Sequence, residues 1–192
     1  MKQQTDAIVG DVMAIREHWL VDAQRCPSPN YNQRPDDEVS LLVVHNISLP
    51  PQQYGGGYVE DFFCNQLDTS AHPYFEEIAD LKVSSHLFIR RDGRIVQFVP
   101  FNLRAWHAGL SCYSGRENCN DFSIGIELEG CDNEAYETLQ YDALAKVTQA
   151  LMSAYPSITN TRITGHEVIA PRRKTDPGPA FKWQRLFTQL LK

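Results

Sequence analysis

No run of apolar residues in this chain approaches the roughly 18 that a membrane-crossing helix needs, so insertion into a bilayer is not expected. Clustered basic residues are missing too. Lysine and arginine together number 18 against 24 acidic residues, for a formal charge of −6, whereas a broad nucleic-acid surface needs the opposite excess. The opening stretch MKQQTDAIVGDVMAIREHWL lacks the unbroken apolar core of a secretory signal, because Asp6, Asp11, Arg16 and Glu17 interrupt every candidate. No CxxC pair occurs among the five cysteines, Cys26, Cys64, Cys112, Cys119 and Cys131. An odd count without an export signal reads as reduced thiols in a reducing compartment, the cytoplasm. Each is read as a small buried hydrophobe or loop thiol, not a ligand. Internal repeats and linker-like segments are absent, so the 192 residues are expected to form one unit around one core.

What is present is the composition of an ordinary globular domain, 42% hydrophobic and 22% charged. Ile8, Val12, Ile15 and Trp19 recur at helical spacing, which predicts a helical N-terminal extension over residues 1–18 ahead of a domain spanning 19–192. CPSPNYNQRPDD cannot continue a helix past Pro27, Pro29 and Pro35, and is expected to wrap over the core. SLLVVHNI is a valine-rich apolar run, the mark of a strand covered on both faces, with His45 near its C-terminal end. YVEDFFCNQL has roughly helical spacing after the glycine-rich loop LPPQQYGGGY. Asp92-Gly93 is expected to turn a hairpin between SSHLFI and RIVQFV. In DFSIGIELEG, alternation puts Ile124, Ile126 and Leu128 on one face and Gly125, Glu127 and Glu129 on the other, with Glu129 at the solvent end. A helix is expected from about 136 to 155 on the stripe Leu139, Ala143, Val147, Ala150 and Leu151, stopped by Pro156. A short strand TRITGH and a last helix FKWQRLFTQLL follow. This order predicts an α/β fold: a single domain with a central mixed β-sheet flanked by α-helices.

The stretch GHEVIAPRRKTDPGPAF looks unsuited to a packed helix or strand. Pro177 biases Asp176 toward extended geometry, so Lys174 and Asp176, two apart, share a side. If the chain doubles back, His166 and Asp176 reach one ion. A histidine and a carboxylate are two of the three protein ligands a catalytic zinc commonly takes, and His45, ending a central strand, is the best third. Glu127 lies between two apolar strand residues, where a carboxylate is costly unless something uses or pairs it. Burial would raise its pKa and suit a general base; a structural ion pair is the even-weighted alternative. His86, inside a strand, is read as structural.

HNISLPP, AWHAG, CNDFSIGIELEG, GHEVIAP and RKTDPGPAF together resemble the zinc-dependent N-acetylmuramoyl-L-alanine amidases, over nearly the whole chain from Trp19 to Trp183. The resemblance is nearest to the branch that acts on 1,6-anhydro-N-acetylmuramyl peptides in cell-wall recycling. It implies the amidase fold shared with peptidoglycan-recognition proteins, and one zinc per chain on His45, His166 and Asp176. It also implies Glu127 and Lys174 as the catalytic pair, and as substrate an anhydromuramyl peptide cut between the lactyl group and L-alanine. Asn46, Ser48, Tyr58, Trp106 and His107 are candidate substrate-binding residues. A monomer without nucleic-acid or membrane partners is expected. Binding modules of this fold typically lack a zinc ligand, and here all three candidates are present.

Overall fold

The computed structural model describes residues 13–191. In chain order its elements are β1 (Ile15–Arg16), β2 (Trp19–Leu20), β3 (Gln24–Arg25), β4 (Tyr31–Gln33), β5 (Leu41–Ile47), α1 (Tyr58–Phe63) and α2 (Pro73–Ile78). Then come β6 (Leu87–Ile89), β7 (Ile95–Gln97), β8 (Leu103–Ala105), β9 (Cys112–Tyr113), β10 (Arg116–Glu117) and β11 (Ser123–Glu129). The chain ends with α3 (Thr138–Ala154), β12 (Ile163–Gly165), α4 (His166–Ile169) and α5 (Trp183–Leu190). No helix among the described residues is long and apolar enough to cross a membrane.

A six-stranded sheet in the order β12-β5-β11-β6-β7-β3 forms the centre. It is mixed: β6 and β7 are antiparallel, joined by the Asp92-Gly93 turn with Gly93 at φ +83, and the other pairings are parallel. Parallel strands are covered on both faces. All seven residues of β11 are accordingly buried, as is β5 from Leu41 to His45.

The period of two along these strands decides which layer each side chain joins. Leu42, Val44, Leu87, Ile89, Ile124, Ile126 and Leu128 pack with α3 and α5, where they meet Leu144, Val147, Leu151 and Leu186. Ile126 is fully buried, and truncating it to alanine would cost about 2–5 kcal/mol. On the opposite face Leu41 and Val43 meet Phe122 and Ile169, while Phe88 and Val96 pack under Phe62, Phe63 and Phe75 of α1 and α2. That second face also carries His45, Gly125 and Glu127, because they alternate with the residues turned toward α3.

Several expectations are corrected. Residues 15–20 form a hairpin, with Ile15 opposite Leu20, and not a helix. Glu17 and His18 occupy the left-handed region (φ 50 and 66), as a two-residue hairpin turn requires. The earlier part of the expected N-terminal helix lies outside the described residues. Helix α3 buries Tyr141, Leu144, Val147, Thr148 and Leu151, whereas Leu139 in its first turn is 56% exposed. The capping box of Glu137 with Gln140 starts that helix, placing Leu139 over the β6–β7 turn beside Gly93. Glu129 is buried, accepting hydrogen bonds from the Gly55 N–H at 2.5 Å and the Arg91 N–H at 2.9 Å. The stretch after Gly165 begins with one helical turn, α4, instead of running wholly extended.

Candidate metal centre and active site

Parallel register puts Glu127 directly beside His45 on adjacent strands near their C-terminal ends, where open α/β sheets place their ligand crevices. β12 ends at Gly165, so His166 enters α4 at that same end of the sheet. The tail then turns back: the Glu167 N–H donates to the Asp176 carbonyl at 3.0 Å, bringing the Asp176 side chain to the two histidines. The peptide bonds Leu49-Pro50 and Asp176-Pro177 are both cis.

His45, His166 and Asp176 each present one ligand atom to a common point. His45 Nδ1 lies 2.9 Å from His166 Nδ1 and 3.1 Å from Asp176 Oδ2, and His166 Nδ1 lies 3.0 Å from the same oxygen. These spacings approach the roughly 3.3 Å edge of a tetrahedron with zinc–ligand bonds of about 2.0 Å. The proton inventory points the same way. His166 Nε2 donates to the Ala108 carbonyl at 3.1 Å, which leaves Nδ1 as the ring nitrogen turned toward the cluster. Burial, with the neighbouring His166 as a lesser cause, brings His45 down to about 4 against the opposing pull of Asp176, so its ring is neutral near pH 7. Burial alone would raise Asp176, but the two histidines packed against it, His166 first and then His45, favour its charged form and hold the carboxyl well below its ordinary value. Two imidazoles and a carboxylate converging this closely are a donor set suited to a divalent cation.

The cluster lies on the floor of a cleft of about 510 Å³, lined also by Asn46, Ser48, Trp106, Glu127 and Lys174. Glu127 Oε1 is 4.0 Å from His45 Nδ1, and its buried Oε2 has no hydrogen-bond partner among the described residues. Burial raises this carboxyl well above its ordinary value; the charge of Asp176 adds to the shift and Lys174 opposes it. Lys174 is exposed. Its backbone N–H donates to the Ala170 carbonyl at 3.0 Å. Among the described residues Glu127 is within ion-pair distance of His45 and of no arginine or lysine.

The candidate substrate residues divide. Trp106 lines the cleft while its indole N–H donates to Asn32 Oδ1 at 2.7 Å. Ser48 Oγ accepts from the Gln52 N–H at 2.8 Å. Asn46 is committed to the scaffold: its amide donates to Asp132 Oδ1 at 2.9 Å and to the Pro177 carbonyl at 3.2 Å, tying the end of β5 to the residue after Asp176. Tyr58 is not part of the cleft lining. It starts α1 and packs its ring 5.0 Å from that of Phe75, as an apolar side chain at a helix start does when a neighbouring helix covers it. His107 touches the cleft, but its ring nitrogens meet His45 at 2.9 Å and Ser123 at 3.1 Å, so it is a neighbour of His45 more than a substrate contact. His86 is structural as expected, with Nδ1 accepting from the Gly125 N–H and Nε2 3.0 Å from the Leu103 carbonyl.

Sequence reasoning missed Ser123, Asn120 and Arg34. Asn120 Oδ1 accepts from the His107 and Ala108 N–H groups at 3.1 and 2.8 Å. Arg34, 6% exposed, donates to the carbonyls of Asn120, Asp121, Phe101 and Ser123. An arginine in a proline-rich loop carries no signal of burial. Gly125 did carry one, since a glycine inside a strand marks a close approach.

A mixed-sheet α/β domain with a His–His–Asp cluster beside a buried carboxylate is an arrangement of the metal-dependent hydrolase class. A family model described as N-acetylmuramoyl-L-alanine amidase matches residues 35–179, and the chain belongs to that family. It is 62% identical over 174 residues to the 1,6-anhydro-N-acetylmuramyl-L-alanine amidase AmpD of Citrobacter freundii, covering 90% of this chain and 92% of that one. The crystal structure of a selenomethionine AmpD derivative superposes with a TM-score of 0.91 at 59% identity, over 93% of this chain and 99% of that one. AmpDH3 of Pseudomonas aeruginosa, solved in complex with anhydromuramic pentapeptide, is more distant. It has a TM-score of 0.58 at 29% identity, over 79% of this chain and 59% of that one.

Proposed function

We propose that this chain hydrolyses the amide joining the lactyl group of 1,6-anhydro-N-acetylmuramic acid to L-alanine in muropeptides released during peptidoglycan recycling. The observation that carries the reading is the convergence of His45, His166 and Asp176 on one point, beside Glu127 and Lys174, on the floor of a cleft. The names of the relatives support the choice of sugar. One zinc is assigned to the three residues, and when bound it supplies a Lewis acid that polarises the scissile carbonyl and makes water more acidic.

The remaining chemistry belongs to side chains of this chain. The Glu127 carboxylate, on the cleft lining beside the ligand cluster, takes a proton from the attacking water and delivers it to the L-alanine nitrogen as the amide breaks. Its raised pKa suits a group that must both accept and donate. Lys174 brings an ammonium to the carbonyl oxygen as negative charge builds there, a contribution of about 10²-fold for one such donor. Trp106, on the cleft wall, offers a face to the sugar or peptide. The products are the anhydro sugar and the free peptide. A cytoplasmic setting belongs to the same reading and is supported by the five free thiols.

Chromatography of two substrates tests it: anhydromuramyl tripeptide and the corresponding reducing N-acetylmuramyl tripeptide, each incubated with zinc-loaded protein. Release of free tripeptide chiefly from the anhydro substrate is expected. Equal or faster release from the reducing sugar would overturn the assigned specificity, and no release from either would overturn the amidase reading.

A further inference from the structure

A chain of hydrogen bonds runs from His45 through His107 to Ser123 and the Cys119 carbonyl, and its polarity is fixed from the far end. The Ser123 hydroxyl donates to the Cys119 carbonyl at 2.5 Å. With its one hydrogen committed, Ser123 Oγ can only accept from His107 Nε2, 3.1 Å away. His107 Nε2 must then carry the ring hydrogen, which leaves Nδ1 of a neutral imidazole as an acceptor. That Nδ1 lies 2.9 Å from His45 Nε2, with the two rings edge-on at 85°. His45 Nε2 therefore carries the hydrogen, and His45 Nδ1, facing His166 and Asp176, is left with its lone pair.

We propose that His107 and Ser123 are positioning residues that hold His45 in the Nε2–H tautomer, the one form of the neutral ring able to ligate a metal through Nδ1. The inference rests on the metal reading of this same site. Ser123 is fully buried and His107 is 9% exposed, so no bulk water competes for these bonds. Space for the His107 ring comes from Gly125, whose missing side chain would otherwise overlap it. Its backbone is held by the carboxamide of Asn120, which accepts from the His107 N–H. Without the His107 acceptor, His45 would leave a buried Nε2–H unpaired. Its alternative tautomer would turn a hydrogen toward Asp176 Oδ2, 3.1 Å away, and block the ligand atom.

Two measurements test this. Long-range ¹H–¹⁵N spectra of the metal-free wild-type protein report ring tautomers directly: Nε2–H is expected on both His45 and His107, and Nδ1–H on either would overturn the proposal. Zinc dissociation constants, measured by competition with a chromophoric chelator, are then compared among wild type, His107→Ala and His107→Gln. The alanine variant is expected to bind zinc about 10- to 100-fold more weakly. The glutamine variant, whose carboxamide oxygen can accept from His45 Nε2–H, is expected to recover most of that loss. Unchanged affinity in His107→Ala, or equal losses in both variants, would overturn the positioning role. Failure of the wild type to bind zinc would instead remove the metal reading, and the metal-free spectra would still decide the tautomers. They decide them equally if a variant fails to fold.

Discussion

His45 and Glu127 are register partners on β5 and β11, and their side chains meet at the cleft floor with Nδ1 and Oε1 4.0 Å apart. The proposed metal ligand and the proposed proton acceptor are thereby both held by buried strand residues of the sheet, not by loops. A one-residue slip of either strand would turn one of them into the core beneath α3.

Glu127→Gln is expected to lower turnover by about 10²- to 10⁴-fold. The same substitution should stabilise the metal-free protein at neutral pH. Because burial raises the Glu127 carboxyl above its ordinary 4.5, the folded state holds this proton more tightly than the unfolded chain. Its contribution to stability is full below pH 4.5 and is lost as pH rises through the raised folded value. Thermal melts at pH 7 should show the variant higher, by roughly 2–4 °C per kcal/mol of relieved burial, with the gap closing near pH 4. A lower melting temperature at pH 7 would contradict the assignment.

Lys174→Ala is expected to cut turnover by about 10²-fold while retaining metal. The side chain is exposed, and in the cleft it stands beside the ligand cluster without belonging to it. Elemental analysis of the variant checks this: a large loss of zinc would move Lys174 from the reaction to the assembly of the site.

Acid should weaken the fold through His86 before most carboxylates titrate. Burial, and secondarily Arg34, bring its pKa down to about 3, while the unfolded ring titrates near 6.5. The stabilisation is thus complete above pH 6.5 and declines as pH falls toward 3, by up to about 1.4 kcal/mol per pH unit. In the folded protein, NMR should find the His86 ring still neutral at pH 5, and denaturant midpoints should fall between pH 6.5 and 5. An ordinary titration of His86 near pH 6.5 would refute this.

Gly125→Ala is expected to destabilise the protein by about 1–3 kcal/mol, as overpacking does, and to weaken zinc binding, because the added methyl overlaps the His107 ring. Melting and chelator competition on the same sample check it. Unchanged zinc affinity would show that His107 can shift without disturbing His45.

The elements that were legible in the sequence are those whose signal is local and redundant. β5 and β11 announce themselves as apolar runs because parallel strands are buried on both faces, and Asp92-Gly93 marks its hairpin by backbone chemistry. The pairing of Lys174 and Asp176 followed from extended geometry, and both line the cleft. What escaped depends on contacts distant in sequence. Ile15 and Trp19 stand at helical spacing, yet Glu17 and His18 turn the chain back between them. Glu129 resembles a strand-end residue until the Gly55 and Arg91 amides arrive to bind it. Tyr58 sits beside a glycine run that suggests a cleft border, but Phe75 supplies it with a packing partner. His107 is adjacent to Trp106 in sequence, and only the fold shows that the His107 ring meets His45 while the Trp106 indole bonds Asn32.

The most direct test of the central claim is zinc content by elemental analysis, paired with cleavage of anhydromuramyl tripeptide before and after chelation, for wild type and Asp176→Asn. One zinc per wild-type chain is expected, with activity lost on chelation and restored by zinc, and with both greatly reduced in the variant. A metal-free wild-type protein that cleaves at an undiminished rate would contradict the account.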